Sequence, residues 1–316
     1  MKFELTRDEM KKLADETGFN QNPLEKAIRL IGILETIHAH PLLHDYFVLK
    51  GGTGLNLFYY DLPRLSVDVD LNYIRARDKV RMGKDRMGVM DLIPDLFSEE
   101  YDLHISKNEY ALLQFEFGYT TVTGSTDKLM IDINYLHRLP MMSTMNRSFI
   151  GLGRSLKFTS IGLEELLAAK VVTLLSRYTP RDLYDIYKTF LMKPTLHLKI
   201  LRSLFLYYAL VSRISVFDLI QPRFEYISAY DIRRLLYPLL IRNDRPNRDE
   251  MIAGADKFLE PVLTIKDNEA KIIEHFYSTG DLDSDTLFQE EKLRQKIEKS
   301  PALAWKIKNI KQHTSK

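Results

Sequence analysis

The chain has 316 residues, of which 45% are apolar, and its formal net charge is +2. This length allows one large domain or two ordinary ones, and the near-neutral charge excludes a histone-like polycation. Because the sequence contains no cysteine, disulfides, thiolate-bound zinc and cysteine nucleophiles are excluded. The sequence also lacks a secretory signal and an apolar stretch of membrane-spanning length, so we expect a cytoplasmic protein with no membrane partner.

The first half of the chain is expected to combine helices with a small mixed sheet. After two opening helices, YFVLKGG at 46–52 is typical of a strand that ends in a Gly-Gly turn, and GTGLNLFYYDL of a helix that begins there. LSVDVDLNYI at 65–74 alternates as a strand does, and the charged segment 75–100 is expected to be helical. EYALLQFEFGYTTV and KLMIDINYL are expected to be two further strands.

From about residue 160 the patterns are those of helices, beginning with GLEELLAAKVVTLLSR and PRDLYDIYKTFL. The sequence therefore predicts an α+β fold with two domains, residues 1–155 and residues 156–316. The second domain is expected to be mostly α-helical.

Three aspartates are candidates for a metal site. Asp68 and Asp70 share one face of the predicted strand, and two ionised carboxylates this close repel each other unless a cation lies between them. Oxygen ligands of this kind suit magnesium. Asp132 is a third candidate, because an aspartate in the middle of an apolar strand is disfavoured unless a site requires it. A D-x-D pair on a solvated strand face also occurs by chance, and that interpretation remains open at this point.

The Gly-Gly turn strengthens the case for a nucleotide. Gly51, Gly52 and Thr53 lie where backbone N–H groups and a helix N-terminus can bind the phosphates of a nucleotide. Arg64, just before the second strand, is either a phosphate ligand or an exposed loop residue. Together with Ser66-x-Asp68-x-Asp70, the turn favours binding of a nucleoside triphosphate (NTP) beside a metal.

The order of strand, Gly-Gly turn, helix and R-x-S-x-D-x-D resembles that of the nucleotidyltransferase superfamily. More closely, LKGGTGLNLFYYDLPRLSVDVDL resembles the first motif of the AbiEii/AbiGii toxin family, which includes the MenT toxins. The resemblance covers about residues 45–190. It implies a nucleotidyltransferase-like domain at residues 1–155, two Mg²⁺ ions held by Asp68 and Asp70, and Asp132 as the third carboxylate. It also implies that the NTP phosphates are bound by Gly51, Gly52 and Thr53. Arg64 and Ser66 are further candidates for nucleotide binding.

Lys170 lies within the apolar stripe of its helix, where a lysine is costly unless it is paired or its ammonium reaches water. The family resemblance implies that Lys170 contacts the nucleotide phosphates, with Arg181 adding positive charge nearby.

Two aspartates follow in PRDLYDIY. Asp182 is explained as the acid in the first turn of a helix that is capped by Thr179 and begins with Pro180. Asp185 has no such explanation, and a helical wheel puts it away from the apolar stripe, which suits a solvated residue unless the nucleotidyltransferase-like domain lies on that side. The resemblance favours Asp185 over Asp182 as the catalytic or ligand-organising carboxylate.

The C-terminal residues 292–316 contain eight Lys/Arg and one Glu, interleaved with apolar residues. This pattern predicts a basic helical tail, which either follows RNA phosphates or docks as an ordinary terminal helix.

The family resemblance implies a toxin that transfers a nucleoside monophosphate (NMP) from an NTP to an RNA 3′ end, in particular that of tRNA. It also implies a cognate antitoxin. Two alternatives remain open. The first is the same chemistry on a protein or a small molecule, and the second is a catalytically inactive RNA-binding regulatory module.

Overall fold

A computed structural model describes residues 5–314, which divide into two compact units. The first unit comprises the chain up to Arg138, Thr144–Ile161 and Arg233–Arg245. The second comprises Leu139–Ser143, Gly162–Ile232 and the chain from Pro246 onward. A sheet flanked by helices and a separate set of helices make this an α+β fold, as the sequence predicts.

The first unit contains a seven-stranded sheet with helices. The helices are α1 (Arg7–Thr17), α2 (Gln21–Ala39), α3 (Gly51–Phe58) and α4 (Lys79–Phe97). The strands are β1 (Phe47–Lys50), β2 (Asp68–Tyr73), β3 (Asp102–Asn108), β4 (Leu112–Thr120), β5 (Thr126–Asn134), β6 (Met145–Gly151) and β7 (Arg154–Ser160).

The strand order is β3-β4-β5-β2-β1-β7-β6. The central strand β2 pairs antiparallel with β1 and parallel with β5. The sequence predicts β1, β2, β4 and β5 but misses β3, β6 and β7. Both edge strands, β3 and β6, are among the missed ones, and most of their residues are exposed. Each has only two or three apolar residues in seven, which is too few for the alternation by which a half-buried strand is recognised.

One face of the sheet forms the core of the first unit. Val69, Leu71, Ile131 and Ile133 are buried in one apolar cluster together with residues of α2 such as Ile31. Because successive side chains of a strand point to opposite faces, the aspartates of β2 and β5 must lie on the other face. The apolar core therefore fixes which face carries the candidate site.

The second unit is helical within the described residues. Its helices are α5 (Leu163–Arg177), α6 (Pro180–Met192), α7 (Leu198–Val211), α8 (Val216–Leu219), α9 (Ala229–Asp231), α10 (Arg248–Leu263), α11 (Asp267–Thr279), α12 (Ser284–Leu287), α13 (Glu291–Glu298) and α14 (Pro301–Thr314). None of the helices in residues 5–314 combines the length and apolar character needed to cross a membrane.

Helix α6 packs against both α5 and α10. A Cβ atom added at Gly254 of α10 would come within 2.7 Å of the Tyr187 ring, so the glycine permits the close approach of α6 and α10. As a result, α6 is buried on two sides rather than along a single stripe.

The predicted basic tail consists of two helices, α13 and α14. Its apolar residues Leu293, Ile297 and Leu303 are buried, which is the arrangement expected of a docked terminal helix. Lys311 pairs with Asp281 at 2.8 Å. Lys316, counted in the tail, lies outside the described residues.

Candidate active site

Four polar side chains form a row across the centre of the sheet in the first unit. The strand register aligns Lys50 with Asp70, Asp70 with Asp132, and Asp132 with Gln114. Asp68 lies two residues before Asp70 and therefore on the same face. The sheet thus brings together the three aspartates that the sequence singles out.

Lys50 and Gln114 are members of this row that sequence reasoning missed. The Nζ atom of Lys50 lies 3.8 Å from Oδ1 of Asp70, and Nε2 of Gln114 donates a hydrogen bond of 2.6 Å to Oδ1 of Asp132. Alternation along β4 puts Gln114 on the face opposite Phe115 and Phe117. Only the register of β4 on β5 shows that Gln114 reaches Asp132.

The pKa of Asp132 reflects burial and repulsion between the carboxylates of the row. Burial raises the pKa of Asp132, and the charges of Asp70 and Asp68 raise it further. The hydrogen bond from Gln114 and the charge of Lys50 oppose this shift, yet the pKa remains above its ordinary value. A cation bound here would relieve the repulsion that raises this pKa.

The first turn of α3 lies against the same row. The N-cap residue of α3 is Lys50, whose side chain makes no capping hydrogen bond to the first N–H groups of the helix. Gly51 has a φ of +68°, and a Cβ atom built on it would lie 2.3 Å from Oδ2 of Asp70. Glycine at this position leaves room for the Asp70 carboxylate beside the helix N-terminus.

Thr53 and Ser66 join α3 to the start of β2. The hydroxyl of Thr53 donates to the main-chain oxygen of Asp68 at 2.5 Å and lies 2.6 Å from the hydroxyl of Ser66. Both residues are buried. Since the single Thr53 proton goes to Asp68, Ser66 must donate to Thr53. Both hydroxyls therefore support the position of Asp68.

Arg64 is buried, so the expectation of an exposed loop arginine is wrong. Its main chain bridges to Leu240, and the N–H of the following Leu65 donates to the Leu239 oxygen. Nη1 of Arg64 donates to the Leu65 oxygen at 3.0 Å. Main-chain contacts therefore hold residues 64–65 against residues 239–240.

The second unit contains a buried ionic cluster centred on Lys170. The Nζ atom of Lys170 lies 2.8 Å from Oδ1 of Asp182 and 3.0 Å from Oδ2 of Asp185. The lysine side chain is 6% exposed and each aspartate 1%. Lys170 is therefore paired with carboxylates, which is one of the two alternatives left open by the sequence. The other alternative, a side chain that extends to water, does not apply because the lysine is buried.

Asp182 does more than supply an acidic residue in the first turn of α6. Nε and Nη2 of Arg177 donate to its two oxygens at 2.8 and 3.2 Å, and the Thr179 hydroxyl donates to Oδ2 at 2.6 Å. Burial alone would raise the pKa of Asp182, but Lys170 and Arg177 outweigh it and hold the pKa well below its ordinary value. Asp182 is therefore a fixed anion at neutral pH.

Asp185 is buried beside Lys170, so the expectation of a solvated position is wrong. A helical wheel assumes that one stripe of the helix is buried, whereas α6 packs on both α5 and α10. Arg181, in the first turn of α6, is half-buried.

The chemistry of the row on the sheet suits a divalent cation. Asp68, Asp70 and Asp132 offer only oxygen donors, which Mg²⁺ prefers, and they share one face of adjacent strands. In residues 5–314 no three acidic or histidine side chains come close enough to form a ready metal-binding group. The three aspartates therefore fit Mg²⁺ in the type of ligand and in their placement on the sheet. Their side chains would have to move closer together when the ion binds.

Known proteins match this chain over most of its length. A family model described as nucleotidyl transferase AbiEii toxin, type IV TA (toxin–antitoxin) system, matches residues 32–290. The structure of MenT4, a nucleotidyltransferase toxin from Mycobacterium tuberculosis, is 16% identical and aligns over 94% of this chain and 98% of its own, with a TM-score of 0.63. At 16% identity this similarity shows that the two proteins share a fold, and it shows nothing about their activities.

A crystal structure from H. pylori, described provisionally as a nucleotidyltransferase, is 14% identical. It covers 93% of this chain and 97% of its own with a TM-score of 0.41, too low to support an argument. No curated protein matches the sequence.

Proposed function

Because the chain belongs to the AbiEii family of nucleotidyl transferase toxins of type IV toxin–antitoxin systems, we propose that it transfers an NMP from an NTP to an RNA 3′ hydroxyl. The acceptor end of tRNA is the acceptor that we propose. The observation that supports this most strongly is the aspartate row beside the N-terminus of α3. Oxygen ligands for a cation and N–H groups for phosphates meet there, with Gly51 leaving the space between them.

In this proposal the first unit binds the NTP. Asp68 and Asp70 hold the cation, with Asp132 as the third ligand, and the N–H groups of Gly52 and Thr53 bind the phosphates. Bound Mg²⁺ would neutralise phosphate charge and favour attack by the acceptor hydroxyl, and two ions are expected. Lys50, near Asp70, adds positive charge on the phosphate side of the row.

The roles of the second unit also belong to the proposal. Asp182 is held by Arg177 and by the Thr179 hydroxyl, so we assign to Asp185 rather than Asp182 the role of receiving the proton of the acceptor hydroxyl. Lys170 positions Asp185 through their contact at 3.0 Å. Phosphate binding by Lys170, Arg181, Arg64 and Ser66 stays a prediction.

We also expect a cognate antitoxin, action in the cytoplasm, and a division of labour between residues 1–155 and 156–316. None of these expectations depends on the identity of the transferred base.

Replacing Gly51 by alanine tests the contact between the turn and the aspartate row. The new Cβ would displace the Asp70 carboxylate, and a misplacement of about 1 Å costs about 100-fold in rate. Gly124→Ala is the matched control, since Gly124 has a φ of +87° and nothing within 4 Å of an added Cβ. Both variants should lose about 1 kcal/mol of stability in urea unfolding, because both place alanine at positive φ. Equal NMP transfer by the two variants would contradict the proposed contact.

The acceptor is tested by incubating the purified protein with each α-labelled NTP, Mg²⁺ and total RNA. We expect the label in RNA, removed by ribonuclease and resistant to protease. Label that resists ribonuclease and is lost on protease treatment would identify a protein acceptor instead. Label in neither fraction, with the NTP consumed, would point to a small molecule. If no NTP is consumed and calorimetry detects no binding of NTP with Mg²⁺, the chain is an inactive module.

A further inference from the structure

The second unit carries two neighbouring surface pockets that the proposed catalysis does not use. Each has a volume of about 570 Å³, which suits a small ligand or one unit of a polymer. Ser212 and Arg213 line one pocket, and the next residue, Ile214, lines the other. The lining residues of the two pockets are thus consecutive in the 212–214 loop, and we call the two pockets together the loop strip.

Aromatic side chains line both parts of the loop strip. Tyr178 and Tyr226 line the first pocket, with their ring centroids 5.5 Å apart and their planes at 75°. Tyr226 is 59% exposed. Tyr277 and the exposed Trp305 line the second pocket. Exposed aromatic rings provide faces on which unpaired bases stack.

The main chain holds two of the four rings in place. The N–H of Arg223 donates to the Tyr178 hydroxyl at 3.0 Å, and the N–H of Val216 donates to the Tyr277 hydroxyl at 3.1 Å. Both donors belong to the segment that begins at the 212–214 loop. Tyr178 and Tyr277 therefore form a fixed part of the lining beside the more exposed Tyr226 and Trp305.

The charge of the loop strip favours a polyanion. Arg177 and Arg223 line the first pocket, and Arg213 and Lys306 line the second. Among the described residues that line the two pockets, Asp218 is the one acid. Arg177 also binds Asp182, so the first pocket borders the Lys170 cluster.

We infer that the loop strip binds single-stranded RNA, with successive bases stacked on Trp305 and Tyr226 and with Arg213 and Arg223 at the phosphates. This inference rests on the proposed function, because it assigns a surface to the RNA acceptor. An NTP would fill one pocket, whereas two pockets that share a loop and carry exposed rings suit a chain of nucleotides. A duplex cannot use the rings, because its bases are already stacked.

The test measures RNA binding without turnover. A 12-nucleotide, 5′-labelled single-stranded RNA is titrated with the full chain in the absence of NTP and Mg²⁺, and fluorescence anisotropy is recorded. We expect Tyr226→Ala and Trp305→Ala each to weaken binding about tenfold and the double variant about 100-fold. Arg223→Ala should reduce the slope of log affinity against log salt by about one. Tyr226→Phe keeps the ring and should bind as the wild type does.

Tyr230→Ala is the matched control, because Tyr230 is 62% exposed and lies outside both pockets. Unchanged affinity in Tyr226→Ala and Arg223→Ala would overturn the inference, as would equal losses for single-stranded and duplex RNA. A raised KM for NTP with an unchanged KM for RNA would assign the pocket to the nucleotide and also overturn it. RNA binding that depends on Tyr226 in a protein without NMP transfer would refute the proposed function and support the loop strip.

Discussion

Replacing Asp70 by asparagine is expected to lower NMP transfer about 1000-fold and to leave the fold intact. The substitution removes one charge of the aspartate row, where a bound cation contributes several kcal/mol to the transition state, and each 1.4 kcal/mol is tenfold in rate. The fold should tolerate it, because the Asp70 side chain is 39% exposed and its 3.8 Å contact with Lys50 is worth less than about 1 kcal/mol.

Two measurements separate this effect from misfolding. Mg²⁺ should raise the melting temperature of the wild type, since a ligand that binds the native state stabilises it, and should not raise that of Asp70→Asn. Asp45→Asn, at an exposed position outside the row, is the matched control and should keep full activity. Transfer above one tenth of the wild-type rate in Asp70→Asn would sink the assignment.

Replacing Lys170 by methionine is expected to cost about 3–5 kcal/mol of stability, because the substitution leaves the buried carboxylate of Asp185 without the Lys170 ammonium at 3.0 Å. Arg177 still holds Asp182. The double variant Lys170→Met, Asp185→Asn should lose about 1–3 kcal/mol less stability than the sum of the losses in the two single variants.

Urea unfolding provides the free energies, and NMP transfer is measured at a temperature at which each variant is folded. Lys12→Met, at an exposed helix position, is the control and should change stability by less than about 0.5 kcal/mol. A loss below 1 kcal/mol in Lys170→Met would mean that the cluster does not depend on the ion pair.

Much of the candidate site is visible in local sequence patterns. Alternation along 65–74 predicts that Asp68 and Asp70 share a face, and the same reasoning gives the face of Asp132. The family resemblance drawn from residues 49–71 is confirmed by the match over residues 32–290. These features depend on neighbours in sequence, which is why they can be read without a structure.

The remaining features depend on contacts between distant segments. The row of Lys50, Asp70, Asp132 and Gln114 requires the register of β2 on β1 and β5, which no local pattern encodes. The burial of Asp185 does not follow from a helical wheel, because burial of α6 on two sides is a tertiary property. The strands β3, β6 and β7 each contain only two or three apolar residues in seven, so their alternation is too short to give a clear signal in the sequence.

The most direct test follows the two ends of the triphosphate. NTPs labelled at the α or the γ phosphate are incubated with the protein, RNA and Mg²⁺, and the RNA 3′ ends and released phosphates are analysed. We expect the α label at the RNA 3′ end and the γ label in pyrophosphate, both abolished by EDTA and by Asp70→Asn. Transfer of the γ label to any acceptor, or α labelling that persists in Asp70→Asn, would contradict NMP transfer at the aspartate row.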